Sequence, residues 1–347
     1  MTAHVVLRGP SNRVGLRLAT RTLLVGGVLL ALLGVLIAVA LITGRASLSL
    51  GEVLPALFGG GDNPGTNYIV WTLRMPRVLA AVLVGAALAI SGAIFQRLTR
   101  NALGSPDFIG FSNGAATGAV LQILLFGAGP MAVVGGALVG GAVTAVLVYG
   151  LAYRRGVAGY RLVLVGIGIS AVLLSLNHYL LVRAELSDAY RAAIWLTGSL
   201  NGRSWDHVAV LAGALVLCLP VALLLSRQLT LLEMGNDLAY SLGVPVERTR
   251  LALIAAGVGL VAAATATAGP IAFVALASPH IARRLTRTAG AGLVTTGLLG
   301  AVLLLISDIA VQVLFESANL PVGLATGAIG GVYLTVLLSR RWRARIR

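Results

Sequence analysis

The chain contains no lysine: all 26 of its basic residues are arginine. That absence removes the phosphate-gripping lysine of a P-loop and any Schiff-base chemistry, so ATP hydrolysis of the usual kind cannot reside here. Charge of either sign is scarce, at 11% of 347 residues with 11 acids, against 58% hydrophobic residues. A soluble domain of this length could not hide so much apolar surface, and the mean hydropathy is +0.96. The class is therefore an all-α polytopic membrane protein. The apolar residues run continuously and do not alternate, which argues against a transmembrane β-barrel. The single cysteine, Cys218, stands inside an apolar run; it excludes an intrachain disulfide and reads as a small buried hydrophobe. The four histidines, His4, His178, His207 and His280, are not at metal-ligand spacing, and no paired carboxylates accompany them. No metal site, cofactor or catalytic cluster is expected of this chain, which reads as a non-enzyme.

What is present is a series of apolar runs. Ten segments have the character of spans: 22–43, 78–95, 110–126, 130–153, 162–182, 208–226, 251–268, 270–282, 292–307 and 321–338. Each is near the roughly 20 residues needed to cross a bilayer, except 270–282, which is short and bounded by Gly269-Pro270 and Pro279. The first follows Arg8, Arg13, Arg17 and Arg21, is too long for a signal-peptide core and has no small-residue cleavage pattern after it. This division predicts a cytoplasmic arm over 1–21, a membrane domain over 22–339 and a basic tail over 340–347. With the N-terminus inside, twenty arginines fall in cytoplasmic segments and six outside, which sets the topology as N-in and C-in. A net charge of +15 would suggest nucleic acid in a soluble protein; here the lipid bilayer accounts for it and no nucleic-acid partner is implied. The 44 glycines cluster in the helices, where small residues let backbones approach. The run from Arg77 echoes the run from Arg250, and the two helices would cross in opposite directions, as an inverted repeat requires.

Several polar features interrupt this pattern. Asp308 lies deep in an apolar run, and it reads either as an intramembrane relay acid or as a hydrogen-bonding group at the membrane face near Glu316. Ser170 and Asn177 are seven apart on one helix face, which suits interhelical hydrogen bonds or a polar line along a path. Arg74 and Arg77 stand on the outer side just before a helix whose first turn holds Pro76. Arginines are not favoured at a helix N-terminus, so an external acidic partner or lipid headgroups would account for them. Asn101 to Asp107 predicts a tight turn and then a helix start, with Ser105 as N-cap, Pro106 at the first position and Asp107 in the first turn. The stretch LLEMGNDLAYSLGVPVERTR, 231–250, is a structured interlude between two spans. Asn236 is predicted to cap a short helix over 237–242, stopped by Gly243. Leu232, Met234, Leu238 and Leu242 give apolar faces, and Glu233, Asp237 and Glu247 polar ones. Acids at an anionic leaflet argue for a protein partner over lipid.

Together, the stretch from Arg74 through NALGSPDFIGF, the WLTGSLNG, LLEMGND and GVPVERTR stretches, AGPIAFVALASPHIARR and NLPVG resemble the FecCD/BtuC-type permeases of ABC importers, over about 48–338. The narrower motifs are similar to catecholate (ferric enterobactin-type) siderophore permeases. The resemblance implies a ten-helix type II importer fold in the inner membrane, and a second homologous permease as heterodimer partner. It also implies a dimer of cytoplasmic ATPases carrying ATP and Mg, and an extracytoplasmic siderophore-binding protein. By resemblance, 229–249 corresponds to coupling helices, with Leu231, Glu233, Met234, Gly235, Asp237, Leu238 and Gly243 at the ATPase. Arg74 and Arg77 correspond to docking arginines for the binding protein, and Asn101 and Leu103 to a cytoplasmic gate. A polar path would use Ser170 and Asn177. Two departures stand out: Gln312 replaces a third docking arginine, and Gly159-Tyr160 replaces the small hydroxyl pair of another gate.

Overall fold

The computed structural model describes residues 4–8, 15–44, 48–58, 63–154, 156, 158–288, 292–315 and 320–332. Two short strands, β1 (His4–Arg8) and β2 (Gly15–Ala19), form an antiparallel pair ahead of the first helix. The remaining elements are helical. They are α1 (Thr20–Ile42), α2 (Leu50–Leu57), α3 (Pro64–Tyr68), a π-helical turn (Ile69–Arg74), α4 (Met75–Thr99), α5 (Phe111–Phe126) and α6 (Pro130–Ala152). There follow α7 (Gly159–Arg183), α8 (Leu186–Leu196), α9 (Trp205–Leu224), α10 (Ser226–Met234), α11 (Asn236–Ser241), α12 (Val246–Ala268), α13 (Val274–Thr286) and α14 (Leu293–Leu314). A last described helix, α15, covers Val322–Val332.

Among the described residues, seven helical stretches are long and apolar enough to cross a membrane: α1, the continuous α3-to-α4 rod, α6, α7, α9, α12 and α14. Helices α5 and α15 are apolar but shorter over the described residues. The run at 270–282 is displaced from its expected bounds. Residues 270–273 are not helical, Phe273 takes a left-handed φ of 71°, and α13 runs on to Thr286 with Pro279 inside it. The tail at 340–347, Glu316 and most of the region before β2 lie outside the described residues.

Helix α4 is the centre. From Val78 to Thr99 nearly every side chain is buried, and α4 packs against α9, α12, α13 and α14. Helix α12, also buried through most of its length, lies beside it and runs the other way. Helices α1, α7 and α9 present apolar side chains outward, including Val28, Leu164, Val172 and Leu217. That inversion of the soluble pattern is what lipid or another membrane chain permits, since a tail solvent does not expel leucine.

Backbone contact explains the small residues. A Cβ at Gly92 of α4 would meet the Ala275 carbonyl oxygen of α13 at 1.9 Å. Pro279 has no N–H to give that carbonyl, so the α13 surface is open at the point where the glycine seats. Gly92→Ala must push the two helices apart, and it is expected to cost about 1–3 kcal/mol. The checkable result is a lower melting temperature in detergent than Gly168→Ala, since a Cβ at Gly168 meets nothing within 4 Å.

Candidate functional site

The polar residues gather at the two ends of α4. At its C-terminal end, Arg97 donates from Nε to Glu233 Oε2 at 2.8 Å and from Nη2 to Thr230 Oγ1 at 2.6 Å. Arg100, in a left-handed conformation at the helix terminus, donates from Nε to the Leu232 carbonyl at 3.0 Å and from Nη2 to Asn236 Oδ1 at 2.7 Å. Arg250 at the start of α12 donates to the same Asn236 oxygen at 3.0 Å and pairs with Glu247 at 2.5 Å. Three arginines from two buried helices thus hold α10 and α11 against the bundle. The expected cap is corrected here. Gly235 precedes α11, and Asn236 is its first residue. The Asn236 side chain is occupied by Arg100 and Arg250 and makes no cap.

The other features of this segment fall where the pattern puts them. Gly235 links α10 to α11 at φ 151°, a conformation L side chains rarely adopt. Gly243, at φ 77°, closes α11: its N–H reaches the Tyr240 carbonyl at 2.9 Å and the Val244 N–H reaches Ala239 at 3.0 Å. This pair of bonds is a Schellman stop. Leu229, Leu232 and Ala239 face the bundle and Leu231 is half-buried, whereas Met234, Leu238, Tyr240 and Leu242 are exposed, with Asp237 beside them. An apolar face is left bare on a segment whose polar side is tied down.

Next to this clamp, Asn101 accepts the Leu103 N–H at 3.0 Å in a side-chain turn, and Leu103 is exposed. His280 of α13 braces the turn through the Ala102 carbonyl at 2.9 Å. The predicted helix start at Ser105 is a correction: residues 106–110 make a turn, Gly110 breaks it at φ 90°, and α5 begins at Phe111. Asp107 receives the hydroxyls of Ser105 (3.2 Å) and Ser112 (2.5 Å), and burial pushes its carboxyl above the ordinary range. It lines a cavity of about 430 Å³ with Ser105, Phe108, Asn113, Ser170 and Phe273. Ser170 and Asn177 do share a face, and both are buried. Ser170 accepts from the Asn113 amide of α5, and Asn177 Oδ1 has no hydrogen-bond partner among the described residues. Nothing in the sequence pattern singled out Asn113 or the enclosure of Asp107.

At the N-terminal end of α4, Arg77 and Asp308 make a two-point ion pair, with Nε to Oδ2 at 3.0 Å and Nη2 to Oδ1 at 2.8 Å. Gln312 donates to Oδ2 at 2.8 Å, and Asp308 is fully buried. The carboxylate is held by fixed donors, which suits the hydrogen-bonding reading over a relay. Arg74 donates to the carbonyls of Leu41 and Ile42 at the end of α1, the latter at 2.9 Å. Both expected docking arginines therefore make bonds within the chain. Close by, Trp71 and Trp205 stack with ring centroids 6.1 Å apart. Gly159 packs its α7 start on the end of α4, and Tyr160 beside it is exposed.

The described residues thus form an apolar helical bundle with seven helices long enough to cross a membrane and one clamped segment whose outer face is bare. Sequence comparison says what kind of bundle it is. Residues 30–340 match the FecCD transport family. Over 303 residues the chain is 48% identical to the ferric enterobactin transport system permease protein FepG of Escherichia coli K12, covering 87% of this chain and 92% of that one. It is 40% identical over 332 residues to the achromobactin transport system permease protein CbrC of Dickeya dadantii, covering 94% and 91%. A solved metal-chelate type ABC transporter in an inward-facing conformation has a TM-score of 0.82 at 29% identity, covering 91% of this chain and 99% of that one. The chain belongs to the FecCD transport family and is a multi-pass inner-membrane permease of the ABC importer type.

Proposed function

We propose that this chain is the permease subunit of an ATP-driven importer for ferric siderophores of the catecholate class. The observation that carries the transport reading is the clamped segment 226–242, with Met234, Leu238, Tyr240 and Leu242 bare on its outer side. A surface of that kind receives force from a partner: the apolar face docks in a groove, and Arg97, Arg100 and Arg250 pass the displacement to α4 and α12. The partner is a cytoplasmic ATPase dimer that holds ATP and Mg, since a lysine-free chain supplies no P-loop. Leu231, Glu233, Gly235, Asp237 and Gly243 shape the contact. The full-length likeness to a ferric enterobactin permease supports the cargo class.

In this reading the chain crosses the membrane ten times, with α5, α13 and α15 added to the seven long helices, N-in and C-in. The arginine-rich end that holds α10 and α11 is the cytoplasmic one. The opposite courses of α4 and α12 support an inverted repeat. Asn101 and Leu103 form a cytoplasmic gate, and Ser170 lines the approach to it through the cavity that Asp107 shares. The bare apolar face of α7 meets a second, homologous permease. An extracytoplasmic siderophore-binding protein docks near Arg74 and Arg77, whose bonds within the chain hold them in register for it.

Uptake of iron-55 into cells relying on this transporter tests the cargo. Ferric catecholate is expected to be taken up at least about tenfold faster than a ferric hydroxamate. Equal uptake of the hydroxamate would assign the transporter to another siderophore class.

A further inference from the structure

A second cavity, of about 700 Å³, lies at the Trp71 end of the bundle under α8, between the starts of α6 and α9 and the end of α12. Its size is that of a site for a small organic ligand. Its lining is unlike the apolar bulk of the protein, because Arg191, Arg203, His207, Tyr190 and Trp195 all reach it.

Arg203 is the central observation. Its Nε donates to the Asn201 carbonyl at 3.2 Å and its Nη1 to the Thr267 carbonyl at 2.6 Å, which fixes the guanidinium plane. Among the described residues no carboxylate lies within ion-pair distance of it. A part-buried, oriented cation without a counter-charge is costly, and the missing charge is what an anionic ligand would supply. His207 adds a neutral donor. The Ser204 backbone N–H approaches His207 Nδ1 at 3.3 Å, so that nitrogen is the acceptor and the ring proton sits on Nε2. Among the described residues Nε2 has no hydrogen-bond partner. At the mouth, Arg191 is paired with Asp188 at 3.3 Å, but its side chain remains 59% exposed and can turn to a ligand. Asp206 lines the adjoining cavity, of about 530 Å³, which shares Arg203 and His207. The balance of charge on the main cavity is positive.

We propose that this cavity binds an anionic aromatic group, with oxygens on Arg203 and His207 and the ring against Tyr190 and Trp195. A catecholate arm of a ferric chelate has this chemistry, so the permease itself holds cargo at its outer end. The site sits within one subunit, apart from the cavity that Asp107 and Ser170 line. It rests on the catecholate reading above and deepens it. A flat ring stacks on aromatic side chains, and paired phenolate oxygens match a guanidinium edge.

The test is equilibrium binding of iron-55 ferric tris(catecholate), a triply negative complex, to the assembled transporter in nanodiscs of zwitterionic lipid. Saturable binding is expected, with Arg203→Gln weakening it about tenfold or more and Arg203→Lys retaining part of it. Arg191→Gln, at an exposed position of α8 that leaves the bonds of Arg203 intact, is expected to weaken it about threefold. Unchanged affinity in both glutamine variants would overturn the site. Equal binding of a neutral ferric trihydroxamate would overturn the anionic assignment. Displacement of the probe by phosphatidylglycerol in the nanodisc would identify a lipid phosphate site and overturn the cargo assignment. A transporter that imports ferric catecholate yet binds none in nanodiscs lacks the site while keeping its function. One that neither imports nor binds it fails in both respects.

Discussion

Glu233→Arg is expected to abolish siderophore uptake while the permease stays in the membrane at its normal level. The substitution puts a second cation against Arg97, whose side chain is only 10% exposed, in place of a carboxylate 2.8 Å away. Glu233 itself is 32% exposed, so water tempers the loss. The effect on folding is then about 1–2 kcal/mol, well below what unfolds a large helical bundle. Coupling is a different matter, because α10 would no longer be held to α4 while its outer face is pressed. The double variant Arg97→Glu with Glu233→Arg restores the pair in reverse and is expected to recover part of the uptake. Gly235→Trp, which forces a bulky residue into φ 151°, should stop uptake by tilting α11 out of line. Wild-type transport by Glu233→Arg would remove the coupling role of this segment.

Asp308→Ala is expected to be the most destabilising single change, costing about 3–5 kcal/mol, because it leaves Arg77 without its buried partner. Asp308→Asn should cost less, since Gln312 and Arg77 can still reach a carbonyl oxygen. Replacing both partners, Arg77→Leu with Asp308→Leu, is expected to return most of the loss. Thermal unfolding in detergent, followed by tryptophan fluorescence, reads all three. An unchanged melting temperature for Asp308→Ala would show that the pair contributes nothing to the bundle. The experiment also separates two roles at the Arg77 end of α4: if the double leucine variant is stable but no longer responds to a binding protein, Arg77 matters for docking beyond its pair.

Local rules carried much of this molecule. Apolar runs located the long helices, most of them to within a few residues, because lipid imposes one period and one length. The runs 78–95 and 292–307 fell short, since the first lies in a rod that begins at Pro64 and α14 continues to Leu314. Gly243 ends α11 as its place before Val244-Pro245 required. The failures share a cause, which is competition from distant side chains. Asn236 has the right type and position for a cap, but Arg100, 136 positions away, and Arg250 offered it stronger partners. Ser105-Pro106-Asp107 reads as a helix start, yet Gly110 interrupts it and Asp107 turns to two hydroxyls. Asp308 looked like a lone intramembrane acid because its partner is 231 positions earlier. The cavity under α8 was not legible at all: Arg203 and His207 sit in a loop and a helix start, and the walls come from five other segments. A helix periodicity has no term for such enclosure.

Helix α4, the last 25 residues of its rod, carries both charged ends of the molecule. Near its middle it meets α13 and α14 at backbone distance, through Gly92 against Ala275 and Gly85 against Gly300. Such contacts leave no soft side chain to compress, so they act as a fulcrum. A rod of that length has arms of roughly 18 Å on either side. A tilt of about 5° would move each end by roughly 1.5 Å, in opposite directions. A push on Glu233 at one face would therefore arrive as a pull on Arg77 at the other, without any intervening part having to change shape.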